Sequence, residues 1–290
     1  MQLVINILIS MAIYLLIANS VVVVYSTTKF LNLSHAIIIT LGAYFTYLFS
    51  GQWGLPLSVA LLCSVVCAVI TGFLFEITIF QPLRKKEASS FVLLIASLGI
   101  YVIMQNVISM IWGNDTRTIR TWEKNVGNKI WGAYITNIQI LIIVVSILFF
   151  VATFLFLNYS KTGKNIRAVS SNKMLSDILG INSDKVIISS IVLGSVLSSI
   201  SGILVAFNTD FDPTMGFNLL LYGIVAMIIG GVENIWGLIG GSLLLAAAQH
   251  LGAYYIDSKW MDAIAYIILI LFLIWKPLGF SGKRLKKVEI

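Results

Sequence analysis

Between Lys29 and Glu76 the chain carries no charged residue. That uncharged run is long enough for two membrane crossings of about 20 apolar residues each. No soluble domain can solvate such a stretch, so it fixes the solvent before any fold is considered. Composition agrees: 59% of residues are hydrophobic and 11% charged, with a mean hydropathy of +0.97, whereas soluble domains carry about a quarter charged residues. A disordered chain, a nucleic-acid module and a soluble enzyme are excluded. The net charge of +7 therefore reports topology and not affinity for an acidic partner.

Polar punctuation divides the chain into nine apolar segments: 3–25, 34–49, 57–80, 91–112, 138–157, 186–207, 219–229, 238–256 and 263–275. The expectation is an all-α integral membrane protein of eight or nine helices, one domain over 1–290. Segments 34–49 and 219–229 are too short to cross upright at 1.5 Å per residue, which marks them as broken or re-entrant. Met1 to Tyr25 lacks a basic leading region and a small-residue cleavage site and reads as a retained span. Basic residues are retained on the cytoplasmic side. Only Arg117, Arg120, Lys124, Lys129 and Lys259 then lie outside, and the other fourteen, including the tail at 276–290, lie inside. This places the C-terminus in the cytoplasm of a multi-pass cell-membrane protein.

Two polar interruptions stand out, since non-helical backbone at membrane depth is tolerated only where protein buries it or water reaches it. The first is Ser26 to His35, containing Asn32, Ser34 and His35. The second is Gly230 to Gly241, with Gly230, Gly231 and Glu233 near its start. Paired discontinuities in the two halves of a transporter point to the transport path. His35 is placed to cap a helix start or to line that path. His250, beside Gln249 in a late span, suits a hydrogen bond between helices. Glu76 precedes Arg84, Lys85 and Lys86 by two turns, so a snorkelling or salt-bridged carboxylate is expected there rather than a proton relay.

Several patterns argue against chemistry. Cys63 and Cys67 are four apart in an apolar run, neither a redox nor a zinc spacing, and suit packing. The paired glycines Gly230-Gly231 and Gly240-Gly241 match no phosphate loop and suit close helix approach, as do Gly194, Ser195, Ser198, Ser199 and Ser201 on one later span. No nucleophile elbow or metalloprotease motif occurs; no cofactor or metal site is expected, and no enzymatic activity.

The polar loop 158–185 has helical order of its own. Ile166, Val169, Met174 and Ile178 recur among Lys, Arg and Asp, and Gly180 follows. The pattern predicts one short amphipathic helix over 165–179 with a glycine stop, for a membrane surface or for a groove of another protein.

The ordered motifs Asn32-Leu-Ser-His35 with Leu41-Gly42-Ala-Tyr44, Gln81-Pro-Leu-Arg84, Leu94 to Asn106 including Ser97 and Gln105, Lys161 to Val169, Leu179 to Asn182, Asp212 to Gly216, Gly230 to Gly241 and Lys276 to Phe280 resemble the permease subunit of bacterial branched-chain amino acid ABC importers, of the H type. The resemblance implies a second, similar permease subunit, as a homo- or heterodimer, two cytoplasmic ATPases that hydrolyse ATP, and an extracytoplasmic binding protein. It implies that the inner loop with Lys161, Thr162, Gly163, Arg167, Ala168, Gly180 and Ile181 couples to the ATPases. It places the translocation pathway among Asn32, His35, Gly42, Ser97, Gln105, Gly230, Gly231 and Glu233. The family usually has Gly after this His, where the chain has Ala36, implying a less permissive backbone at that break and leaving the substrate open among branched-chain amino acids, urea and short amides. The competing class is a stand-alone secondary transporter or channel, which would be expected to hold ionisable groups near the bilayer midplane.

Overall fold

The computed structural model describes residues 1–119, 127–130, 132–231, 234–276 and 279–280. Each apolar segment read from the sequence is helical. They form α1 (Gln2–Thr28), α2 (His35–Thr46), α3 (Leu57–Phe75), α5 (Ser90–Trp112), α6 (Asn137–Tyr159), α9 (Ser183–Asn208), α10 (Met215–Gly230), α11 (Ile235–Tyr255) and α12 (Met261–Trp275). A π-helical turn at Tyr47–Gln52 lengthens α2, and another at Glu76–Phe80 joins α3 to the short α4 (Gln81–Lys85). Among the described residues six helical segments are long and apolar enough to cross a membrane; α10 is a shorter apolar helix. The inner loop supplies α7 (Lys161–Ser171) and α8 (Lys173–Ile178). A small antiparallel hairpin, β1 (Asn128–Ile130) with β2 (Ala133–Ile135), was not foreseen; the Gln2 amide pins it by accepting from Tyr134 N–H (2.9 Å) and donating to Tyr134 O (3.1 Å).

Burial does not follow hydropathy: α1 and the α3–α4 segment are equally apolar, yet 78% of the apolar stretch of one and 22% of that of the other is buried. The central helices α1 and α9 are mostly buried, yet they carry the hydroxyls: Ser20 shares a hydrogen bond with Ser198 (2.7 Å) and Thr27 with Ser190 (2.5 Å). The opposed order of these pairs makes the two helices antiparallel. The perimeter helices α3, α5, α6 and α12 instead expose Leu62, Ile103, Leu148 and Ile274. Lipid solvates leucine as well as a protein interior does, so apolar side chains gain little by turning inward, while hydroxyls left in lipid would lose their partners.

Small residues set how close the central helices come. A Cβ on Gly202 would lie 1.9 Å from the Ile39 carbonyl oxygen, and one on Gly42 2.4 Å from that of Ser199. Packing of α2 on α9 at this distance admits no side chain at either position. The serines predicted on one face of α9 are buried there, as expected. His250 Nε2 shares a hydrogen bond with Ser10 Oγ (2.7 Å), and Gln249 donates to Met261 O (3.2 Å), joining α11 to α1 and α12. Glu76, only 1% exposed, is paired with Arg84 across the π turn. The expected ion pair thus forms, and the carboxylate does not snorkel. Cys63 and Cys67 are free and half-buried.

Two expectations fail. The single amphipathic helix is two helices: Asn172 leaves helical geometry (φ −156°, ψ 106°) and its side chain caps α8 by accepting from Leu175 N–H (3.0 Å). Asn competes for backbone groups in this way, which favours caps over helix interiors. Ala36 also needs no glycine-like freedom. It lies inside α2, and the non-glycine residues with positive φ are Lys29 and Glu87 among those described.

Candidate functional site

The first interruption is a crossover at 29–34 between α1 and α2, and hydrogen bonds account for how it survives inside the bundle. Thr27 and Thr28 hydroxyls donate back to the Val24 carbonyl (3.2 and 2.9 Å), a bonding habit that weakens the end of a helix. Lys29 then takes a left-handed conformation (φ 57°), with its N–H on Tyr25 O (2.9 Å). Asn32 Oδ1 accepts from Ser34 N–H (3.1 Å) and Ser34 Oγ (2.6 Å), a side-chain turn that delivers the chain to His35. Leu33 N–H reaches Ser97 Oγ on α5 (3.0 Å), and Ser97 donates to Leu94 O (2.7 Å).

His35 opens α2 in full burial. Its Nε2 shares a hydrogen bond with Ser20 Oγ (3.1 Å), which continues to Ser198, so loop, α1 and α9 meet through one polar seam. His35 is therefore held structurally while standing beside a small cavity lined by Val21, Val24, Leu31, Asn32, Leu220 and Ile224 among others. Phe30 also borders the cavity and packs on its far side into an aromatic and aliphatic cluster with Phe80, Leu93 and Ile100; the Phe30 and Phe80 ring centroids are 5.4 Å apart.

Of the residues proposed for a pathway, the structure brings Asn32, His35 and Ser97 to this crossover. Gly42 lies two turns along α2, against α9. Gln105 is half-buried on α5, two turns beyond Ser97. Gly230 and Gly231 form the second interruption: α10 ends at Gly230, Gly231 has φ 94°, and Asn234 caps α11 by accepting from Trp236 N–H (3.1 Å). A Cβ on Gly237 would lie 1.9 Å from Gly230 O, so the two helices close on each other through glycine. Phe280 N–H donates to Ile229 O (2.9 Å), bringing the chain after α12 back to this break. Glu233, like Arg120, Lys124 and most of the tail at 276–290, lies outside the described residues. Sequence reasoning missed Ser20, although Asn19-Ser20 is a visible polar step inside the first apolar segment.

The inner loop builds a second surface. Ser160 caps α7 by accepting from Gly163 N–H (2.9 Å), and Arg167 donates to Asn158 Oδ1 (3.0 Å), which fastens α7 to the end of α6. Ile166 and Val169 are buried against Val23, Leu157 and Val186, with Ile181 packed at the edge. Thr162 and Ala168 are half-buried and Lys161 is exposed. Past Asn172 the apolar side chains have nothing beneath them: Met174 is 76% and Ile178 72% exposed, and Leu175 and Leu179 are exposed beside them. Gly180 (φ 83°) turns the chain. Asp177 Oδ1 accepts from Ser183 Oγ (2.6 Å) and Ser183 N–H (3.2 Å), and the hydroxyl holds this carboxyl below the usual carboxylate range.

A family model described as "Branched-chain amino acid transport system / permease component" matches residues 3–273. The high-affinity branched-chain amino acid transport system permease protein LivH of Escherichia coli (strain K12) is 26% identical over 284 residues, covering 93% of this chain and 91% of that protein. Permease protein BraD of Pseudomonas aeruginosa, from a transport system of the same description, is 27% identical over 285 residues, covering 93% and 92%. Among solved structures, a chain of PsaBC from Streptococcus pneumoniae in complex with Fab shares the fold, with a TM-score of 0.52, 12% identity, and coverage of 99% of this chain and 95% of that one.

Proposed function

The chain belongs to the permease-component family of branched-chain amino acid transport systems, and from that premise we propose that it forms half of the translocation pathway of an ABC importer for branched-chain or similar hydrophobic amino acids. It works as a transport subunit without nucleotide chemistry of its own. A second permease subunit completes the pathway, two cytoplasmic ATPases drive it, and an extracytoplasmic binding protein delivers the amino acid. The nine helical segments act as nine crossings, with the N-terminus outside and the C-terminus inside; the distribution of Lys and Arg supports this orientation.

The observation that carries the proposal is the contrast within the inner loop. Met174, Leu175 and Ile178 stand exposed on a capped helix, with Leu179 exposed just past its end, and a second helix fixes it to the membrane domain. An amphipathic helix presented in this way suits a groove on a partner. Here α8 is the contact that receives the ATPase motion, and α7, through Gly163, Arg167 and Ile166, transmits it to α1, α6 and α9. Differential binding of the ATPases to two states of the permease pair supplies the driving free energy. At the other end of the relay, the crossover with Asn32, His35 and Ser97 and the break at Gly230-Gly231 line or gate the pathway.

Co-purification from the native membrane tests this directly. Tagged protein in mild detergent is expected to retain two ATPase subunits and a second permease. A chain that purifies alone and moves solute in liposomes without ATP would establish a secondary carrier instead.

A further inference from the structure

We propose that the cavity between α1, the 29–34 crossover and α10 is the collapsed form of a pocket for the aliphatic side chain of the transported amino acid, with Phe30 and Leu31 as its movable wall. The inference rests on the permease function proposed above and adds a place where the cargo is read. The fixed walls are branched and apolar, Val21 and Val24 from α1 and Leu220 and Ile224 from α10, while Asn32 and His35 supply polar groups. Apolar walls with a few convergent polar groups are the composition of a small-molecule site, and they match a solute with a hydrocarbon tail and a polar head.

The free volume is about 10 Å³, room for about one water molecule, so a leucine side chain enters only if a wall moves. The crossover is the wall able to do so. Its backbone is non-helical from Phe30 to Asn32, and it is held on both sides. Phe30 is packed among Phe80, Leu93 and Ile100 of the α3–α5 side, and Leu33 N–H is bonded to Ser97 of α5. From α1 the Thr28 hydroxyl reaches Phe30 O by a long hydrogen bond (3.4 Å), and His35 and Ala36 N–H donate to Asn32 O and Leu33 O. In the proposed opening Phe30 and Leu31 follow α5, breaking the long Thr28–Phe30 contact, Asn32 and Leu33 hinge against the start of α2, and the opposite walls stay with α1 and α10. A ring pair ties these two groups in the closed form. Tyr101 of α5 lies on Phe217 of α10 with centroids 4.8 Å apart, one helical turn before Leu220. Movement of α5 away from α10 parts the rings and draws Phe30 and Leu31 off the cavity in one step.

The test uses the whole complex in liposomes, with its binding protein outside and ATP supplied to the ATPases. Maximal uptake rates of valine, isoleucine, leucine and phenylalanine are measured for the parent, Ile224→Ala and Ile224→Phe. The same binding protein delivers each amino acid throughout, so its selectivity cancels when variant is divided by parent. Ile224→Ala is expected to raise phenylalanine relative to valine by at least about threefold, and Ile224→Phe to depress leucine more than valine. Scaling of all four rates by one factor would overturn the pocket and leave the permease function standing. A parent complex that takes up none of them with ATP would overturn both. If the α10 variants fail to assemble, Leu31→Cys in a Cys63→Ala, Cys67→Ala background serves. Maleimide labelling during turnover should slow with leucine and not with glycine, and equal labelling would overturn the proposal.

Discussion

The helices α7 (11 residues) and α8 (6 residues) follow one another in the inner loop, both interleave apolar with charged residues, and meet opposite fates. In α7 the apolar residues Ile166 and Val169 are buried against the ends of α1, α6 and α9; in α8 Met174 and Ile178 are left in the open. One residue separates them. Asn172 breaks the helix and caps the next, rotating the apolar face of α8 away from the membrane domain. The same periodicity thus serves self-packing in one turn and presentation to a partner in the next, and a hydrophobic pattern alone does not say which.

If α8 is the partner-facing half, polar substitution there should separate function from stability. Met174→Asp with Ile178→Asp is expected to lower uptake at least about a hundredfold, because two charges would enter an apolar contact, while the thermal unfolding of the isolated subunit stays unchanged. Loss of stability in that variant would break the distinction. Gly163→Leu attacks α7 instead: its Cβ would meet Phe156 O at 2.2 Å and Leu157 Cα at 2.6 Å, so α7 must lift off. Assembly with the ATPases and uptake should fall together, by about tenfold or more, the equivalent of about 1.4 kcal/mol.

Smaller changes sharpen the comparison. Ile166→Ala should destabilise the detergent-solubilised subunit by about 2–4 kcal/mol through a cavity under α7, whereas Ile178→Ala should leave it unaltered; equal effects would mean that α8 is packed after all. Asn172→Ala removes the cap of α8 at about 1 kcal/mol, visible as faster amide exchange confined to 173–178. The weakest effect concerns acid. Asp177 is held below its usual range by Ser183, so its contribution is present above the unfolded value of about 3.9 and fades as pH falls through the lower folded value. Exchange at 177–183 should quicken only below about pH 4, and Asp177→Asn should have that faster exchange at neutral pH.

The nine apolar segments were legible because charge is scarce and polar punctuation is concentrated where helices end. Both interruptions were legible for the same reason: Asn32, Ser34 and Gly231 are residues that turn a chain. What periodicity could not supply was direction. Met174 and Ile178 share a helical spacing with Ile166 and Val169, and only the backbone at Asn172 reveals that they do not share a face. Ala36 misled in the opposite sense, since a residue beside a break need not lie in it. The polar seam through Ser20, His35 and Ser198 joins distant parts of the sequence, and no local pattern ties them. The cavity beside it depends on α1, α10 and the crossover meeting in space, which the order of motifs does not reveal.

The most direct measurement is amino acid uptake into liposomes containing the complex that co-purifies with this chain, with and without ATP, for the parent and for Met174→Asp with Ile178→Asp. Uptake in the parent that requires both ATP and the binding protein, and that the α8 variant abolishes without loss of folded permease, is the expected result. Uptake by the parent that continues without ATP, or that the α8 variant leaves intact, would contradict a permease driven through this helix.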